Sequence, residues 1–118
     1  MALQTFTIKE KLPSWNTIAG GGKWAYKKAK DTWQGFTYES ALEAKLKPIT
    51  EYPVDVSVHA KWKHNRCHDI DSCYVKPIFD QLVYMGILKD DSLEYVDRVT
   101  YSGEIGADED CVIITLCN

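Results

Sequence analysis

The stretch PVDVSVHAKW, residues 53–62, alternates without a break. Val54, Val56, Val58, Ala60 and Trp62 fall on one side of an extended chain, and Asp55, Ser57, His59 and Lys61 on the other. Side chains of a strand point alternately to its two faces, so this period-two, valine-rich pattern predicts a strand with one apolar and one polar face. Its apolar face needs a cover, and the sequence on either side supplies two helical patterns.

Upstream, from about Lys23 to Leu46, the chain has no proline and, among glycines, only Gly35. Tyr26, Ala29, Trp33 and Phe36 step by three or four residues, which predicts a long amphipathic helix, with a weak point at Gly35 and Thr37. Downstream, in SCYVKPIFDQLVYMGILK (72–89), Val75, Ile78, Phe79, Leu82 and Val83 repeat at helical spacing. Pro77 fits only the first turn, where its missing N–H costs little, and Gly86 ends the pattern. LQTFTIKE (3–10) reads as a first strand through Leu3, Phe6 and Ile8. KLPSWNTIAGGGK (11–23), with its proline and triple glycine, reads as a loop of mobile backbone. YVDRVTYSG (95–103) and CVIITLC (111–117) read as the last two strands, the second of them buried. The expected order is β–α–β–α–β–β, an α+β domain over residues 1–118 with a mixed sheet packed by two main helices.

The chain has 118 residues, enough for one domain. No apolar run approaches the roughly 18 residues of a membrane helix, and the N-terminus lacks the charged and apolar blocks of a signal peptide. A soluble, cytoplasmic protein with no membrane partner is expected. Cys67 and Cys73, like Cys111 and Cys117, lie six positions apart, a spacing unlike that of zinc sites, so free thiols are expected. Net charge is −3 but unevenly spread: residues 1–68 hold 11 Lys/Arg and 6 Asp/Glu, and residues 69–118 hold 3 and 11. A basic half and an acidic half suit a phosphate-binding surface beside an acidic pocket, and equally an electrostatic protein interface.

The acidic half begins with HDIDSCYVKP (68–77). Asp69 and Asp71 are one residue apart and converge on one side of an extended segment. Asp90 and Asp91 follow the downstream helix. That helix, expected to run for about 14 residues, would separate the two acidic pairs by roughly 20 Å unless the chain turns back or a partner subunit intervenes. Gathered together, such carboxylates suit magnesium, which takes hard oxygen ligands and acts on phosphate esters. Lys76 would then hold the scissile phosphate. The segment is not an EF-hand, because Tyr74 and Asp80 occupy the positions that need Gly and Glu. Asp-x-Asp before a helix also serves as a simple cap, and KDD as a solvated turn.

Residues 68–96, HDIDSCYVKPIFDQLVYMGILKDDSLEYV, resemble the core motif of RusA-like Holliday junction resolvases: an Asp-x-Asp stretch, a lysine, an apolar helix, a glycine, an acidic pair and a strand. LPSWNTIAG (12–20) is similar to the Pro-Ser-x-Asn segment of that family, and KWAYKKAKDTW occupies the place of its first long helix. The resemblance implies a homodimeric, Mg²⁺-dependent endodeoxyribonuclease of phage or prophage type, with Mn²⁺ as a substitute ion, that cuts four-way DNA junctions in pairs. By position, Asp69, Asp71 and Asp91 match the metal-binding carboxylates and Lys76 the catalytic lysine. Ser72 stands where the family usually has asparagine, and His68 where it often has arginine. Lys76 lies one residue further from Asp71 than is common.

Phosphate contacts are expected from Lys23, Lys27 and Lys30 on the first long helix, and from Lys61, Lys63, Arg66 and His68 beside the acidic pair. Trp15 and Trp24 are candidates for stacking on opened bases, whereas Tyr26 is expected in the core. Two other readings stay open on the residues alone: a junction-binding relative with weak or lost chemistry, and a non-enzymatic adaptor whose acidic half docks a basic partner.

Overall fold

The computed structural model describes residues 3–65 and 73–118, with the backbone alone at residues 15–17. The elements in chain order are β1 (Leu3–Ile8), α1 (Trp15–Gly20), α2 (Gly22–Glu43), β2 (Val54–Lys61), α3 (Lys76–Tyr84), β3 (Val96–Glu104) and β4 (Cys111–Cys117). The alternating stretch forms β2. Val54, Val56, Val58 and Ala60 are at most 1% exposed and Trp62 is 3% exposed, so the apolar face is fully covered.

The sheet order is β1-β4-β2-β3. β2 pairs antiparallel with β4 on one side and parallel with β3 on the other, and β1 pairs antiparallel with β4 at the edge. A parallel neighbour requires a crossover, and α3 lies in the connection from β2 to β3. One core joins Phe6 and Ile8 of β1, the valines of β2, Val112, Ile114 and Leu116 of β4, Trp33 of α2, and Ile78 and Leu82 of α3. The fold is an α+β domain with a mixed sheet, as the pattern predicts, and both long helices share one face of it.

Three local expectations need correction. Residues 15–20 form a short helix rather than a mobile loop: Ile18 N–H reaches the carbonyl of Ser14 at 3.3 Å, and the Ile18 side chain is buried. Burial of one isoleucine contributes roughly 1.5–3 kcal/mol, enough to override weak local propensity. α2 is one helix through Gly35, as expected, with the buried Trp33 and Thr37 on either side of that glycine and the Thr37 hydroxyl donating to the Trp33 carbonyl at 2.7 Å. Its buried line is Trp33, Thr37 and Ala41, so Tyr26 is 38% exposed instead of belonging to the core. Leu3 is 65% exposed, since odd-numbered residues of β1 face away from Phe6 and Ile8.

α3 starts with Pro77 in its first turn, as expected, but ends at Tyr84 after nine residues. Gly86, at φ +80°, turns the chain, and the N–H groups of Ile87 and Leu88 both bond the Leu82 carbonyl. Ile87 and Leu88 are buried in the core and anchor this return loop to it. Gly103 has a packing role. A Cβ there would stand 3.1 Å from the Trp62 ring and 3.1 Å from the Ala60 carbonyl.

Candidate active site at the head of α3

The return after Gly86 decides the geometry of the site. Nine helical residues span only about 13 Å, and the chain then runs back along them. Asp91 thereby returns to the first residue of the helix: Lys76 Nζ donates to Asp91 Oδ2 at 2.6 Å. The separation expected between Asp91 and the start of the helix is removed within one chain.

Lys76 is held from two sides. Asp80, one turn along α3, lies 3.1 Å from the ammonium, at the i,i+4 spacing that makes helical neighbours. The hydrogen bond to Asp91 raises the lysine pKa, with partial burial opposing it. The same bond, from the other side, keeps the Asp91 carboxyl below the usual carboxylate range. At neutral pH the lysine is a cation and Asp91 a carboxylate. The second acid of the pair does something different. Asp90 Oδ1 accepts from the Asp91 backbone N–H at 2.9 Å and shapes the turn.

The two segments that carry the family resemblance meet here. Ser14 forms an isolated antiparallel bridge with Cys73, and Tyr74 N–H donates to the Pro13 carbonyl at 3.3 Å. The Trp62 indole N–H reaches the Leu12 carbonyl at 3.2 Å, tying the end of β2 to the same strap. Beside Lys76 opens a hollow of about 420 Å³ lined by Tyr26, Tyr74, Phe79 and Tyr101. Tyr26 and Tyr74 stand 6.1 Å apart, centroid to centroid. Burial pushes the Tyr74 phenol well above its ordinary range, and the Tyr101 phenol in the same direction.

Asp69, Asp71, Arg66 and His68 lie outside the described residues, as do Cys67 and Ser72. Among the described residues, no group of three His, Cys, Asp or Glu side chains is placed to hold a metal ion. Asp91, held ionised beside Lys76, is an oxygen donor of the chemical kind a hard cation takes. Cys73, Cys111 and Cys117 are free thiols, and Cys111 is buried. Burial raises the pKa of the Cys111 thiol.

The candidate phosphate contacts separate into two groups. Lys23, Lys27 and Lys30 share one face of α2, where Lys27 also pairs with Asp31 at 3.0 Å. Lys61 lies on the opposite face of the sheet and pairs with Glu104 at 3.4 Å. Lys63 is exposed beyond the end of β2. Trp24 is 84% exposed at the start of α2, while the side chain of Trp15 lies outside the description.

Sequence reading left two contributors unassigned. Asp80 was legible from its i,i+4 spacing to Lys76. Tyr101, 25 positions after Lys76, had no local signal, because the pairing of β3 with β2 brings it to the hollow. Comparison with known proteins returns no matching family profile and no matching curated protein.

Proposed function

We propose that the chain is a Mg²⁺-dependent endodeoxyribonuclease that acts as a homodimer on branched, four-way DNA. The observation that carries this reading is the 2.6 Å contact between Lys76 and Asp91 at the head of α3. The resemblance assigns this lysine and this carboxylate to one site, although 15 positions separate them. The meeting of Pro13 and Ser14 with Cys73 and Tyr74 supports it too, because both resemblance segments border that site.

Asp91, with Asp69 and Asp71, would hold magnesium through oxygen ligands. The ion, when bound, supplies Lewis-acid polarisation of the phosphodiester and a water of lowered pKa. Lys76 is a poor base, since its pKa is raised and it stays protonated. Its chemistry is electrostatic: the ammonium, on a flexible stem, exchanges Asp91 for a phosphate oxygen and stabilises negative charge developing there. Asp80 retains it on the helix during that exchange. Lys23, Lys27 and Lys30 offer backbone phosphates a basic approach on α2, and the exposed Trp24, Tyr26 and Tyr101 offer stacking surfaces for unpaired bases.

The test is cleavage of a labelled synthetic four-way junction and a linear duplex of the same sequence, with Mg²⁺ or with EDTA. Paired, metal-dependent nicks near the branch point are expected, lost in Asp91→Asn. Lys76→Ala is expected to slow single-turnover cleavage by about 10²-fold, as removal of one stabilising donor does, with junction binding retained. Cleavage by Asp91→Asn at the unaltered rate overturns the assignment. Tight junction binding without cutting identifies a non-catalytic relative instead.

A further inference from the structure

The far edge of the sheet carries a second feature, independent of the site at α3. β1 has β4 on one side and, among the described residues, no strand on the other. Alternate residues of such an edge turn their N–H and C=O groups outward, ready to pair with another chain. Proteins usually blunt edges with charge. β3, the opposite edge, follows that rule with Asp97, Arg98 and Glu104, whereas β1 reads LQTFTI and carries no charge at all.

A groove of about 420 Å³ follows this uncharged edge. It is lined on one side by Thr5–Ile8 of β1 with Lys9 and Glu10 after it, and on the other by Phe36, Glu39, Ser40 and Glu43 of α2 with Ala44 at its cap. Thr5–Ile8 is about 13 Å of strand and residues 36–43 about 12 Å of helix, and α2 packs against β1. Glu10, Glu39 and Glu43 border the groove, all exposed. None of the three has an ion-pair partner among the described residues. Lys9 also borders it, so three carboxylates against one ammonium leave a net charge of −2.

We infer that this groove binds an extended, basic polypeptide segment of a partner protein, which adds to β1 as a fifth strand and sets lysine or arginine against Glu39 and Glu43. The spacing fits. Glu39 and Glu43 are about 6 Å apart along the helix axis, and side chains two residues apart on a strand are about 6.6 Å apart. The aliphatic stems of such side chains would lie against Phe36 while their charged ends reach the carboxylates. Main-chain bonding to an edge supplies affinity and alternate side chains supply selectivity, the usual division in strand addition. Nucleic acid is the wrong sign for this rim.

The experiment titrates the intact ¹⁵N-labelled chain with a fluorescent eight-residue peptide alternating arginine and threonine. A second peptide replaces each threonine by proline, which keeps the charge and removes backbone donors. Saturable binding of the first peptide is expected, with amide shifts confined to residues 3–10 and 36–44. The proline peptide, and the double variant Glu39→Gln/Glu43→Gln tested with the first peptide, should each bind at least about tenfold more weakly, the loss of one or two charge-assisted or backbone bonds. Both glutamates are exposed, so the variant keeps its fold, which circular dichroism verifies. Absence of saturable binding overturns the inference. So does equal binding of the proline peptide, which would mean charge attraction alone, or shifts elsewhere on the chain. Concentration-dependent shifts of β1 without peptide would assign the edge to a second copy of this chain and overturn it as well.

Discussion

The two faces of the sheet are built on different principles. On the covered face, Val54, Val56, Val58 and Ala60 meet Trp33, Ile78 and Leu82 with no solvent between them. On the open face the strands are linked by polar pairs: His59 Nδ1 shares a hydrogen bond with Ser102 Oγ at 2.7 Å, Thr5 with Thr115 at 3.3 Å, and Lys61 pairs with Glu104 at 3.4 Å. Packing on the first face excludes water, so every methylene counts. Pairing on the second competes with water, so each contact contributes little. The same backbone therefore carries a face on which stability depends and a face free to vary.

Four substitutions test that division, beginning with the largest effect. Leu82→Ala, at a position with no exposure, should destabilise by about 2–5 kcal/mol in urea unfolding, through lost transfer energy and the cavity left behind. A loss below about 1 kcal/mol would mean that the covered face repacks freely. Gly103→Ala lies on the edge strand but on the covered side, and should cost about 1 kcal/mol because its Cβ would press on the Trp62 ring and the Ala60 carbonyl, each 3.1 Å away. A neutral result would place the covered face's limit inside β2 rather than at β3.

The contact between Lys76 and Asp91 lies between the extremes. Lys76 keeps 58% of its side-chain exposure, so solvent screening limits the pair to less than about 1 kcal/mol. Its pH dependence has a definite sign. The Asp91 pKa is lowered on folding, so its contribution is present above the ordinary carboxylate range and disappears as pH falls through the lowered value. The Lys76 pKa is raised, so its contribution is present below the ordinary lysine range and disappears as pH rises through the raised value. Asp91→Asn should thus be slightly less stable than the parent at pH 7 and equally stable in strong acid, as thermal unfolding at both pH values would reveal. A difference that persists in acid would point to packing instead of charge. The smallest effect is expected for Ser57→Ala on the open face, within about 0.5 kcal/mol of zero. A larger loss would show that this face is covered by something beyond the described residues.

The candidate site divides along similar lines. Its local parts were legible: Pro77 in the first turn of α3, Gly86 after its end, and Asp80 one turn from Lys76 all follow from spacing along one helix. The approach of Asp91 to Lys76 was not, because it depends on the helix stopping at Tyr84 and on Ile87 and Leu88 finding places in the core. A periodic pattern predicts that a helix exists more securely than where it stops, and here an overlong helix separated groups that the fold brings together. Tyr101 and the Pro13–Ser14 strap enter the site through strand pairing and backbone bonds, for which no short motif exists. The buried line of α2 keeps Trp33 of the expected stripe but runs on to Thr37 and Ala41 and leaves Tyr26 out, since the face a helix buries is chosen by its neighbours.

By itself the sequence determined what short-range physics controls. It set the alternation of β2, the start of α3, the helical character of a stretch from about Lys23 to Leu46 (which the fold ends at Glu43), the strands at each end of the chain, and the uneven charge of the two halves. Only the tertiary structure decided that β2 lies between an antiparallel and a parallel neighbour, that β1 is left as an uncharged edge beside α2, and that Asp91 returns to Lys76. Side-chain alternation and helical periodicity act over a few residues and are written in local order. Strand neighbours and returning loops are chosen by which apolar surfaces exclude water together, and that choice involves the whole chain at once.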